Sequence, residues 1–137
     1  MCAVVLCGMV QAAVADPRQL VCPSEIARSS IEVVNTPGWK PFIQFPLYLS
    51  AAGISAGPPE QRAVLRGEPL SRKGQPESTR YRFGAMGFDQ GKWLECSYGE
   101  GTQITLSKRL DDSLKECIVS YLKPERPDKQ NIEIACQ

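Results

Sequence analysis

The sequence predicts a mainly β (or α+β) single domain: a twisted antiparallel sheet built from hairpins, with one short N-terminal helix and two disulfides. Three observations carry this. Apolar residues recur at a strand-like period of two along most of the chain. Gly-, Pro- and Asn-containing turn signals separate short runs of β-branched and aromatic residues. Four cysteines follow an apolar leader, an even number suited to an oxidising compartment. The length of 137 residues fits one ordinary domain.

Residues 1–15, MCAVVLCGMVQAAVA, are almost wholly apolar and end abruptly at Asp16-Pro17-Arg18. The run is shorter than the ~20 apolar residues of a membrane-spanning helix. Ala13-Val14-Ala15 supplies the small-x-small pattern of a cleavage site. The expectation is a signal peptide over 1–15, cleaved after Ala15, and a mature domain over 16–137 with no membrane span. No Lys or Arg precedes Arg18, which departs from the usual basic start of such a leader. Leu6-Cys7 falls where a lipidated cysteine would sit, but a large Leu stands where that signal needs a small residue.

Loss of the leader removes Cys2 and Cys7 and leaves Cys22, Cys96, Cys117 and Cys136. These four read as two disulfides rather than a zinc site, because no two of them lie close enough in sequence to form a ligand pair of zinc-ribbon type. Their pairing is open. If 92–98, 102–109 and 114–122 form a simple meander, Cys96 and Cys117 flank its middle strand, about 9–10 Å apart and beyond the ~7 Å limit for a bridge. Cys117 and Cys136 can face each other across a hairpin turning within 123–130. A Cys22–Cys136 bridge would instead tie the chain ends together and force Cys96–Cys117.

Along the mature chain, Pro23-Ser24-Glu25-Ile26 opens a possible helix within 22–30. Ile31-Glu32-Val33-Val34 is a β-branched run stopped by Asn35-Thr36-Pro37-Gly38. The stretch 42–54 is apolar but carries Pro46, the mark of an edge or interrupted strand. Gly57-Pro58-Pro59-Glu60 breaks the chain, and 61–65 reads as a short strand or a helical turn. Residues 66–78 hold two prolines and two glycines with little to bury, so a long exposed loop is expected. A half-buried strand follows at 79–83, then a loop at 84–91 and a strand at 92–98. Gly99-Glu100-Gly101 makes a hairpin connection into 102–106, where Ile104 and Leu106 share a face. Asp111-Asp112 turns the chain into strands at 117–122 and 132–136.

The chemical inventory is sparse. There is no histidine, which removes Ser-His-Asp and Cys-His catalysis and every His-containing metal site. A net charge of +1 sets up no field for nucleic acid or an anionic membrane. Gly84 to Trp93 imitates a phosphate loop, but a pattern ending in Gly91-Lys92 requires glycine where Met86 stands and Ser or Thr where Trp93 stands. The carboxylate pairs Asp111/Asp112 and Glu95/Glu100 do not form a catalytic dyad, since a turn Asp-Asp is solvated and neighbours on a strand face opposite ways. No catalytic residue, cofactor or metal is therefore expected. Trp93 and Tyr98 read as core. Trp39 and Phe88, beside Gly and Pro in loops, read as exposed. Arg72-Lys73 and Phe88-Asp89 are the candidate contacts for a protein partner, on loops able to reach a cleft.

The ordered features Cys22-Pro23, Thr36-Pro37-Gly38-Trp39, the Leu47-to-Ile54 run, Gly57-Pro58-Pro59-Glu60 with Ala63 and Leu65, Trp93-Leu94-x-Cys96-x-Tyr98, Leu106-x-x-x-Leu110 and Cys117-x-Val119 add a further clue. The combination resembles a family of small exported Gram-negative bacterial proteins of unknown biochemistry, encoded near type VI secretion loci. The resemblance implies a periplasmic, non-enzymatic immunity protein or inhibitor. It would neutralise a cell-wall-targeting secreted effector by occluding its active site, and the family supplies no catalytic residues. An envelope-associated structural module and an inhibitor of host lysozyme are the alternative functions.

Overall fold

A computed structural model of the chain describes residues 17–70, 72–84 and 87–137. The expected leader and its cleavage point lie outside the described residues. Among the described residues there are nine strands: β1 (Arg18–Leu20), β2 (Glu25–Ile26), β3 (Leu47–Ser55), β4 (Glu68–Leu70), β5 (Glu77–Arg82), β6 (Trp93–Tyr98), β7 (Ile104–Arg109), β8 (Glu116–Arg126) and β9 (Lys129–Cys136). They form two antiparallel sheets, ordered β1-β9-β8-β5-β4 and β2-β3-β6-β7. The fold is a mainly β single domain with two disulfides.

The core lies between the sheets. In the first, Val119 pairs with Ile134 and Cys117 with Cys136, and all four side chains are fully buried. In the second, Leu94, Cys96 and Tyr98 alternate inward along β6, the period-two pattern of a sheet with one wet face. Strand β3 breaks that period. Leu49 lies opposite Tyr98, yet Ala51 lies opposite Ser97, so β3 carries one extra residue at Ser50. This bulge shifts the phase and lets Leu49, Ala52 and Ile54 all serve the core face. The Ser50 hydroxyl donates to the carbonyl of Ser97 at the bulge, 3.0 Å away.

Polar contacts also join the sheets. The Tyr121 hydroxyl reaches from β8 to β3, accepting from the Ala52 N–H at 3.2 Å and donating to the Ala52 carbonyl at 3.3 Å. Cys22 lies in the segment that leaves β1 in one sheet and enters β2 in the other, and it is bonded to Cys96 in the middle of the second sheet. Beside it the buried Tyr98 hydroxyl donates to the Pro23 carbonyl at 2.8 Å, and the Leu49 N–H donates to Ser24. Cys117 and Cys136 bridge directly opposed positions of β8 and β9, with Cα atoms 4.1 Å apart. That matches the close, non-hydrogen-bonded pairs of an antiparallel ladder.

Several expectations are corrected. The meander over 92–122 does not exist: β7 pairs with β6, but the chain then crosses to the other sheet, where β8 runs between β5 and β9. Cys96, in the second sheet, is bonded to Cys22, and Cys117, in the first, to its ladder partner Cys136. No helix forms over 22–30; β2 and a single 3-10 turn at Arg28–Ser30 replace it. The Cys22 bond and the hydrogen bonds to Pro23 and Ser24 hold this segment extended. Ile31 to Val34 is loop, with Val34 exposed. Pro46, which lacks an N–H, precedes β3 rather than interrupting it, and β3 is interior, between β2 and β6. The loop expected over 66–78 contains β4, whose Pro69 is tolerated because β4 is an edge strand. Trp93 is only half-buried. It lies an odd number of residues from Tyr98 and so faces away from the core, its indole N–H donating to Gln90 at 2.9 Å. Ile104 and Leu106 do share a face, but at the sheet edge Leu106 remains 41% exposed.

The two disulfides close loops of different size, with sequence separations of 74 and 19 residues. Loop-closure entropy therefore predicts that replacing Cys22 and Cys96 together by alanine costs about 4 kcal/mol, against about 3 kcal/mol for Cys117 and Cys136. Urea unfolding of the two double variants should show the larger loss for the first.

Candidate functional site

The register defines two ends of the molecule that differ in character. At one end, β5 runs out into Phe83, β6 begins after Lys92, and β7 leads through 110–115 into β8. This end is closed by a buried cation. Lys92 is 5% exposed, and its ammonium donates to the carbonyls of Asp112 at 2.9 Å and Leu114 at 2.8 Å. It also lies 4.9 Å from the centre of the Phe83 ring and 5.9 Å from that of Phe88. Phe83 and Phe88 meet edge to face at 5.9 Å. Burial pushes the Lys92 pKa down, while Asp112 favours the charged form.

The neighbouring turn is tied off in the same way. Asp111 accepts from the Ser113 N–H and hydroxyl at 2.8 and 2.7 Å and from Arg18 at 3.2 Å. The Ser113 bonds chiefly, with Arg18 next, hold its carboxyl down to about 2. An acid this strongly ionised is a turn-fastening acceptor, with no proton to move near neutral pH. Asp112 pairs with Arg109 at 3.1 Å. The Gly91-Lys92 step therefore serves a turn and a cation seat, and Gly91 holds the positive φ of 77° that this turn requires.

The opposite end is open. It carries the turn between β6 and β7, the tip between β8 and β9, the tip between β4 and β5, and the start of β3. A groove of about 630 Å³ runs between three of these pieces, lined by Phe45, Tyr48, Gln103, Arg126 and Gln130 among others. The Arg126 guanidinium sits 5.0 Å over the Tyr48 ring and is held there by Asp128 at 2.8 Å. Leading into this end is a segment without strands over 31–46, on which Trp39 is 82%, Phe42 81% and Phe45 66% exposed.

The four partner-contact candidates are separated by this geometry. Arg72 and Lys73 are exposed on the β4–β5 tip, at the open end. Phe88 and Asp89 lie beyond the other end of β5, a strand of six residues or about 17 Å. Asp89 is exposed, whereas Phe88 is half-buried against Phe83 rather than exposed as its loop position suggested. Sequence reasoning passed over Phe42, Phe45, Tyr48 and Arg126. The apolar run from Phe42 reads as an edge or interrupted strand, whereas 42–46 lies outside any strand and β3 begins at Leu47. Pro41 and Pro46 around it were the available sign that the chain there is not in a sheet.

The model of one protein family, the type VI secretion system Tli immunity protein, matches residues 44–137. The chain belongs to this family. No curated protein and no solved structure matches it. The Tli match spans β3 to β9, hence most of both sheets, the Cys117–Cys136 bond and the groove, and it begins just after Phe42. Membership makes the chain an immunity protein of type VI secretion, whose task is to bind a cognate effector. Among the described residues, no cluster of three or more Cys, Asp or Glu could hold a metal, and no helix is long and apolar enough to cross a membrane.

Replacing Lys92 with methionine keeps most of the buried volume but leaves the Asp112 and Leu114 carbonyls unpaired. The expected cost is about 2 kcal/mol in urea unfolding. Unchanged stability would mean that the ammonium does not hold the turn.

Proposed function

We propose that this chain is an exported, non-enzymatic immunity protein that works in the periplasm. It neutralises a secreted effector that attacks the cell wall by covering the effector's active-site cleft with its open end. Membership of the Tli immunity family over 44–137 is the observation that carries this reading. The compartment is supported by chemistry: Cys22, Cys96, Cys117 and Cys136 are all committed to disulfides, and such bonds persist outside the reducing cytosol. The apolar, small-x-small character of 1–15 supports an export signal. The wall as target rests on the resemblance alone, which is to a family encoded near type VI secretion loci with some members beside peptidoglycan-attacking effectors.

A rigid sandwich with loops at one end suits inhibition by occlusion, because binding then costs little ordering. In this reading Arg72 and Lys73, at the open end, are partner contacts. Phe88, packed against Phe83, and the exposed Asp89 lie at the closed end and are not used as contacts in this reading.

Co-expression with the effector encoded by the adjacent gene tests the reading. The chain carrying residues 1–15 should protect cells from a periplasm-directed effector and co-purify with it, and a form lacking them should not protect. Absence of both complex and protection would overturn the immunity reading. Lysis by the unopposed effector with peptidoglycan left intact would move its target away from the wall.

A further inference from the structure

Three aromatic side chains standing in water within a seven-residue stretch are costly unless something covers them. Trp39, Phe42 and Phe45 are 82%, 81% and 66% exposed. Together they offer on the order of 400 Å², about half of the ~800 Å² that one partner contributes to an interface of standard size.

The segment carrying them is built to hold still without a sheet. The Trp39 N–H donates to the Thr36 carbonyl at 3.1 Å, and Gly38 takes a φ of 81° after Pro37, the signature of a type II turn. Pro41 and Pro46 fix their own φ and confine Lys40 and Phe45 before them to extended backbone. One end of the segment is anchored through β2 and the Cys22–Cys96 bond, the other through β3. Trp39 is thus presented at the end of a preformed turn, so docking it costs little entropy. Phe42 and Phe45 line two adjoining depressions that share Pro46.

Membership of the Tli immunity family, whose match covers β3 to β9 and the groove beside Phe45, gives the uncovered aromatics one occupant, the cognate effector.

Resting on the immunity reading, we infer that loop 31–46 is a principal contact surface for the cognate effector. Trp39 and Phe42 enter an apolar pocket on that effector's surface while the groove beside Phe45 makes the adjoining contact.

The test uses the full chain and its cognate effector. Trp39→Ala combined with Phe42→Ala should weaken binding at least 100-fold, with an unchanged thermal midpoint and both disulfides intact. If the unsubstituted chain binds its effector and the double variant binds within about threefold of it, the loop assignment falls and the immunity reading stands. If the unsubstituted chain does not bind at all, both fall. A dimer of the unsubstituted chain that the double variant dissociates, with effector affinity unchanged, would make the loop a self-association contact and overturn the inference.

Discussion

The Cys22–Cys96 bond is the constraint on which the rest of the molecule depends. The short segment it clamps is the place where the chain changes sheets, with three residues of β1 behind it and two of β2 ahead. Strands so short contribute few ladder hydrogen bonds and would fray in isolation. The covalent link to the middle of β6, with the Tyr98 hydroxyl on Pro23 beside it, makes the crossing permanent. Everything downstream inherits that anchor: β2 can pair with β3, and the strandless segment that follows starts from a fixed point. The second bond, Cys117–Cys136, reinforces a pairing that the β8–β9 ladder already specifies.

This division produces two unlike ends. At the closed end the chain spends its unusual chemistry on fastening, with a buried ammonium on two carbonyls and a strongly ionised Asp111 on its own turn. Such devices hold the β7-to-β8 crossing, where the chain leaves one sheet for the other. At the open end the turns are satisfied locally, and apolar surface is left in solvent. A binding protein needs both: a framework that does not yield and a face that has not been covered.

How much of this was legible in the sequence follows the range of the interactions. Local signals were readable. The alternation along β6, the glycine turn into β7 and the even count of cysteines beyond the apolar N-terminal run all follow from neighbouring residues. Non-local choices were not. Nothing within 110–116 states that β8 joins the sheet of β5 rather than continuing beside β7. Pro46 pointed to an edge or interrupted strand, but it only precedes β3, whose interior position is set by its pairing with β2 and β6. Cys96 and Cys117 were judged unsuited to each other on a meander that does not exist; the topology instead sets Cys117 directly opposite Cys136 and brings Cys22 to Cys96. At the candidate site, Trp39 was readable from its Pro-Gly turn. Phe42 and Phe45 were masked by an apolar run whose second half is genuine core.

The central claim is that recognition belongs to the open end alone. Hydrogen–deuterium exchange of the chain, free and bound to its effector, tests this most directly because it reports both ends at once. The account predicts new protection at 31–48, 72–76, 99–103 and 126–130, with none at 87–92 or 110–115. Protection centred on 87–92 and 110–115, with 31–48 unchanged, would contradict it.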